Sequence, residues 1–220
     1  MVIPSISKAD LIIDSFEDGS FSVTTSSSSG DTQFGLTGVI GGVRTVDVFA
    51  AGAGTATAEL NLTGGDDSVS LTTSANTLGF FQFSYGSLTP AGDLNLDLET
   101  LGPNQQATRL ELTYFSDVAG TTTITLNDGV AFSSVTANFV AGTNNLTFDF
   151  ADFEANSIGG LIDLSDVSGI RVTTGVSNGS NAATVTYASF STGGLAIIPE
   201  PSVLVAGMFC CLGMVTRRRK

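Results

Sequence analysis

The chain has 220 residues, 21 acidic against 8 basic side chains, a formal net charge of −13, and neither histidine nor tryptophan. Half of the cations end the chain; without Glu200 and those four, 20 acidic residues face 4 basic ones, a net charge of −16 that repels nucleic acid and anionic lipid. The missing histidine excludes Ser-His-Asp and Cys-His catalysis and the usual zinc and iron sites. Cys210 and Cys211 both lie in an apolar tail, so the rest of the chain holds neither disulfides nor Cys-ligated zinc.

In chain order, Met1 to Ala9 (MVIPSISKA) lacks the apolar core of a secretory signal, yet Ser7-Lys8-Ala9 fits a small-x-small cleavage site directly before Asp10. Residues 1–9 are therefore expected to be the remnant of a signal peptide whose start lies upstream, or else a disordered lead. Residues 10–194 have the length of one ordinary domain with a sizeable core.

Within that stretch the hydrophobic period is two nearly everywhere. Gly38-Val39-Ile40-Gly41-Gly42-Val43-Arg44 has the glycines of a phosphate loop but neither its Lys-Ser/Thr ending nor a helical pattern behind it. It is expected to be a turn or bulge before a strand at 45–49, with Arg44 pairing with a neighbouring acid. Ala56, Ala58, Leu60 and Leu62 alternate with polar residues, and after Gly64-Gly65-Asp66-Asp67 the pattern resumes at Val69 and Leu71, a hairpin with an acidic turn. Strands with one wet face are expected at 79–85, over Leu94, Leu96 and Leu98, over Leu110, Leu112 and Tyr114, and at Ile124 and Leu126 before the turn Asn127-Asp128-Gly129. Leu146, Phe148 and Phe150 continue the series, followed by 169–174 and 184–190. Only single helical turns, near Phe153 and at 164–167, interrupt it. About ten to twelve short strands punctuated by Gly, Asn and Asp predict an all-β fold, a two-sheet β-sandwich.

The opening Leu11-Ile12-Ile13-Asp14-Ser15-Phe16-Glu17-Asp18-Gly19 resembles the first strand of carbohydrate-binding-module-like jelly rolls of the broad galactose-binding-like group. So do the runs 141–150, 164–172 and 185–190. The resemblance implies a jelly roll, with an immunoglobulin-like sandwich as the alternative. It also implies a structural calcium, for which Asp14, Glu17 and Asp18 are the candidate oxygen ligands. The same acids otherwise sit on a solvated strand end, and where the family pattern adds an acid in the closing strand this chain has Tyr187-Ala188-Ser189. Sugar sites usually stack a pyranose on an aromatic ring. Here Tyr85, Tyr114 and Tyr187 are the amphipathic aromatics, most of the fifteen phenylalanines read as core, and at most one ring of Phe80-Phe81 points outward.

The tail organises the rest. Residues 195–201 form a linker ending in Pro199-Glu200-Pro201, residues 202–216 an uncharged apolar segment, and Arg217, Arg218, Arg219 and Lys220 a basic stop. The apolar segment predicts a short transmembrane helix with its cations held in the cytoplasm, below the roughly 20 residues that span a bilayer unaided. The prolines favour extended geometry around Glu200, which suits a protease-like site. Motif, apolar helix and terminal arginines together resemble the bacterial PEP-CTERM sorting signals. That resemblance implies a membrane-embedded exosortase-type enzyme as partner, removal of the tail, and delivery from the inner membrane to the cell surface or extracellular matrix. The expectation is an exported, non-enzymatic protein associated with exopolysaccharide, binding carbohydrate or decorating the matrix. The alternatives are a secreted carboxylate-based glycoside hydrolase or lyase, and a plain membrane-anchored structural or adhesive ectodomain.

Overall fold

Alternation becomes paired strand because each such segment buries one face and must satisfy every backbone N–H and C=O in a ladder. The structure, a computed structural model, describes residues 10–60, 68–89, 92–102, 105–176, 179, 181–194 and 196–197. In chain order, β1 (Ile12–Asp14), β2 (Phe21–Thr25) and β3 (Ser28–Phe34) lead to a 3-10 turn at Ile40–Gly42. β4 (Val43–Gly52), β5 (Ala56–Leu60), β6 (Val69–Thr73) and β7 (Thr77–Gly86) follow, then the short β8 (Thr100–Gly102) and β9 (Gln105–Gln106). β10 (Arg109–Ser116), β11 (Gly120–Asn127), β12 (Phe132–Phe139) and β13 (Gly142–Asp149) precede α1 (Phe150–Ala155), β14 (Gly169–Val176), β15 (Ala183–Gly193) and β16 (Ala196–Ile197).

One seven-stranded sheet has the order β13-β10-β15-β6-β5-β2 with β1 also on β15; a six-stranded sheet runs β12-β11-β14-β7-β4-β3. All pairings in both are antiparallel. Across the sandwich β12 meets β13, β14 meets β15, β6 meets β7, β4 meets β5 and β2 meets β3, so the chain keeps passing from one sheet to the other. That winding is the jelly-roll form of the two-sheet sandwich. β16, β9 and β8 make a small third sheet, and β16 falls inside the stretch expected to be linker.

The core lies between the sheets. Ala58, Leu71, Leu112, Phe148 and Val185 enter from one side and Val46, Phe81, Phe83, Ile124 and Val172 from the other, all essentially without solvent contact. One polar cluster crosses this apolar layer: the Tyr187 hydroxyl bonds Thr122 and Thr174, which also bond each other. It satisfies three hydroxyls that would otherwise be buried unpaired.

The segment around Leu94, Leu96 and Leu98, expected to be a strand, joins neither sheet. Asn95 takes a left-handed conformation (φ 47°), and the amides of Leu94, Leu96 and Leu98 donate to the carbonyls of Ser168, Val167 and Leu164. Its alternation follows from packing on the 164–168 loop. The helical turn near Phe153 is α1; the one at 164–167 is a tight turn in which Asp163 accepts from Ser165. The polar edge strand β3 has no alternation to reveal it and exists by pairing with β4. The acidic hairpin turn, the Pro-Glu-Pro motif, the apolar segment and the basic stop lie outside the described residues. Among the described residues no helix is long and apolar enough to cross a membrane.

Candidate functional site

Two arrangements stand out, one buried and one exposed. The buried one begins at Asp14, the end of β1, whose carboxylate faces the core. Arg44, the second residue of β4, donates from Nη1 to both Asp14 oxygens at 2.9 and 2.8 Å. The Tyr85 hydroxyl adds a bond of 2.9 Å to Oδ2 and the Phe16 amide one of 2.8 Å to Oδ1. The other edge of the guanidinium donates to the carbonyls of Asp18 and Gly19 at 2.8 and 3.1 Å and to Gln33 Oε1 at 2.8 and 3.3 Å. Phe16 and Phe21 flank it with ring centroids 5.7 and 5.3 Å from Cζ, a further cation–π contribution. Burial pushes the Asp14 carboxyl up, against the pull of Arg44 and the Phe16 and Tyr85 hydrogen bonds, and burial together with Asp14 raises Tyr85 well above its usual range.

The glycine-rich run thus delivers Arg44. Gly41 and Gly42 both take positive φ (68° and 69°), which lets the 3-10 turn reverse directly into β4 with Arg44 pointing inward. The pairing with an acid expected from the sequence is the Asp14 ion pair.

The candidate calcium ligands do not converge. Asp14 is taken up by Arg44, Tyr85 and Phe16. Asp18 accepts from the amide and hydroxyl of Thr37, which hold its carboxyl below the usual range, and Glu17 is exposed on a shallow groove with Ser15 and Thr37. Among the described residues no group of three or more acidic, His or Cys side chains could hold a metal ion. The residues present therefore do not fit a calcium ion; the cation here is the guanidinium.

The exposed arrangement is the outer face of the six-stranded sheet. Strand register places three rows across it. Phe49 lies beside Phe80, then Gly175 and Thr121; Asp47 beside Gln82, then Thr173 and Thr123; Thr45 beside Ser84, then Arg171 and Thr125. Phe49 and Phe80 remain 40% and 41% exposed while Phe81 is fully buried, so one ring of the Phe80-Phe81 pair faces out. Gly175 explains where the Phe80 ring goes: a Cβ there would lie 3.5 Å from Phe80 Cε1, so the ring lies beside bare backbone. Across the sheet the Asp47 carboxylate lies over Gly30, where a Cβ would come 2.5 Å from Oδ1. The two outward glycines draw the ring and the carboxylate apart and leave Gln82 between them. At one end the loop after β7 forms a wall, Leu94 lying over Gly86 and Gly41.

This face offers two partly exposed phenylalanine rings on neighbouring strands, with amide, hydroxyl, carboxylate and guanidinium groups around them. The outer face of the other sheet carries the Arg109–Glu111 ion pair (2.7 Å) and Phe115 as its exposed ring. Tyr85, Tyr114 and Tyr187, the aromatics singled out from the sequence, are all buried. Phe49 and Arg171 were missed, and the sequence did not decide which ring of Phe80-Phe81 faces out; the available clue was alternation, since each of the three sits between core residues along its strand.

A third feature is a groove of about 320 Å³ lined by Glu99, Glu154 and Asp163 with Leu161, Ile162 and Leu164. Burial, then the charges of Asp97, Glu154 and Asp163, raise the Glu99 carboxyl above its usual range.

No protein-family profile matches the chain. No curated protein matches it either. Among solved structures it is similar to the family 11 carbohydrate-binding module from Clostridium thermocellum, in complex with a beta-1,3-1,4-mixed-linked tetrasaccharide, at 13% identity over 84% of this chain and 95% of that one, TM-score 0.41. The family 29 carbohydrate-binding module CBM29_1 from Piromyces equi aligns at 12% identity over 80% of this chain and 93% of that one, TM-score 0.34. TmCBM61 in complex with beta-1,4-galactotriose aligns at 11% over 69% and 82%, TM-score 0.35. With TM-scores below 0.5 these neighbours decide neither ligand nor site. The sandwich rests on its own strand pairings.

Proposed function

We propose that this chain is an exported, non-enzymatic surface or matrix protein whose sandwich binds polysaccharide on the outer face of the six-stranded sheet. The observation that carries the binding is the exposed Phe49–Phe80 pair set in a field of hydroxyl, amide and charged groups. A pyranose has an apolar C–H face and a polar rim; a ring covers the first while Asp47, Gln82 and Thr173 reach the second. The test is affinity electrophoresis through a panel of soluble polysaccharides with the wild type, Phe80→Ala and Phe49→Ala. Retardation by at least one polysaccharide is expected, reduced about tenfold or more in affinity by Phe80→Ala. Binding by the wild type unaffected by either change would sink the assignment to this face.

The tail supports the address. Pro199-Glu200-Pro201, the apolar segment and the basic stop Arg217–Lys220 resemble a sorting signal processed by an exosortase-type membrane enzyme. Glu200→Ala should then leave full-length protein in the membrane fraction of a host that has that enzyme, because insertion rests on residues the change does not touch. Wild-type surface protein that still ends in Arg219-Lys220 would reject sorting and leave a membrane-anchored ectodomain. A carboxylate-based hydrolase is the second reading, and the groove with the raised Glu99 and its neighbour Glu154 is what it would use. New reducing ends released from a bound polysaccharide, and lost in Glu99→Gln, would favour it.

A further inference from the structure

Among the described residues three side chains are cationic, and two of them are spent. Arg44 is enclosed with Asp14, and Arg109 pairs with Glu111 at 2.7 Å. Arg171 has no carboxylate at ion-pair distance among the described residues; its Nε reaches Ser84 Oγ at 3.4 Å, a marginal contact. It stands half-buried in the middle of the ring-bearing face, on β14, flanked in its row by Ser84 and Thr125 and along its strand by Thr173. Its immediate surroundings are hydroxyls. The nearest acid by register, Asp47, is two strands away and one row off, and it leans over Gly30, away from Arg171.

In a chain with 21 acidic residues, a guanidinium left without a carboxylate is unexpected. Its planar pair of N–H donors matches the two oxygens of a carboxylate, and hydroxyls on either side can complete that group's hydrogen bonds. We propose that the face is selective for acidic polysaccharides, Arg171 pairing with a uronate carboxylate while Phe80 covers the C–H face of the same or the adjoining sugar. This rests on the assignment of polysaccharide binding to the sheet face. The domain as a whole repels polyanions at long range, so the preference for an acidic glycan depends on direct contact of its carboxylate with Arg171.

The experiment measures affinity of the full-length chain, kept soluble in a non-ionic detergent without a sugar head group. The probes are polygalacturonate and alginate, each beside its carboxyl-reduced neutral form, and dextran sulfate. The wild type should prefer at least one acidic form over its reduced partner by roughly ten- to a hundredfold, the range of one charge-assisted contact. R171Q should erase that preference by weakening the acidic form far more than the neutral one, R171K should restore part of it, and F80A should weaken both forms together. Equal wild-type affinity for acidic and reduced forms, or a preference that survives R171Q, overturns the proposal and leaves the binding face standing. Dextran sulfate bound as tightly as the uronan, with the same loss in R171Q, overturns carboxylate selectivity. Binding to neither form of either polymer overturns the proposal together with the face it rests on.

Discussion

Replacing Arg44 by Met tests the buried centre most directly. Met keeps an unbranched stem in the space between Phe16 and Phe21 but removes all the guanidinium donors, leaving the fully buried Asp14 with Tyr85 and Phe16 as partners. Gln33 and the carbonyls of Asp18 and Gly19 also lose theirs. Removing one member of a buried ion pair costs about 3–5 kcal/mol, because the other is left charged without compensation. For a domain of this size 1 kcal/mol moves the midpoint by about 2–4 °C, so Arg44→Met should lower Tm by roughly 6–20 °C. The loss depends on pH in a determined direction. Burial already raises Asp14, and without the downward pull of Arg44 it rises further. A raised folded-state value means the neutral form is the better tolerated one, so the stability is kept below the unfolded value of about 3.9 and lost as pH climbs through the folded value. The deficit of Arg44→Met should therefore be larger at pH 7.5 than at pH 4.5. Asp14→Asn in the same chain should recover more than about 1 kcal/mol relative to the sum of the two single changes. Thermal and urea unfolding followed by far-UV circular dichroism measure all of this. A single variant within 1 kcal/mol of wild type at pH 7.5, or two changes that simply add, would refute the clamp.

Chelator should leave the thermal midpoint unchanged, since Asp14 is committed to Arg44; a drop with EDTA that calcium reverses would restore the metal proposal. On acidification the fold should hold from pH 7 to about 5 and weaken below about 4. Asp18 is held down by Thr37, and at Asp97 and Asp128 burial pushes upward but backbone hydrogen bonds prevail, so their depressed values give stability present above the unfolded value and lost as pH falls through the folded one. An acid limb that begins near pH 6 would contradict that assignment. Tyr187→Phe should cost only about 1 kcal/mol, because Thr122 and Thr174 keep each other as partners at 3.2 Å; a loss of 3 kcal/mol would mean the cluster acts as a unit.

The strands were legible where one face is wet and the other dry. In β10 and β7 apolar and polar residues alternate because each strand has one face on the core, and period two is the direct imprint of that burial. The same imprint misled at Leu94–Leu98, where alternation arises from packing on a neighbouring loop and the left-handed Asn95 breaks the strand. β3 left no imprint because both its faces are wet. At the candidate site, Asp14 and Arg44 were each singled out, Asp14 for a metal and Arg44 for a partner. Thirty residues of separation hid that each is the other's answer. The outward rings were the hardest to find, since an exposed phenylalanine in a strand has the same composition as a buried one and differs only in parity.

Parity also explains how a thin sandwich can hold a structural centre and the proposed binding face on the same two strands. Along β4 the inward residues are Arg44, Val46 and Val48 and the outward ones Thr45, Asp47 and Phe49; along β7 the inward residues are Phe81, Phe83 and Tyr85 and the outward ones Phe80, Gln82 and Ser84. A slip of one residue would bring Phe49 and Phe80 inside and drive Arg44 and Tyr85 into solvent. The Asp14–Arg44–Tyr85 bonds link β1 of one sheet to β4 and β7 of the other, and so resist that slip at the end of the strands opposite to the rings. The buried centre therefore acts on the proposed binding face only by fixing register. Outward changes such as Phe80→Ala should alter binding with little effect on the unfolding midpoint, while inward changes such as Arg44→Met should lower the midpoint and leave the affinity of the molecules that remain folded unchanged. If Arg44→Met altered that affinity at a temperature well below its own midpoint, the two faces would be coupled through more than register.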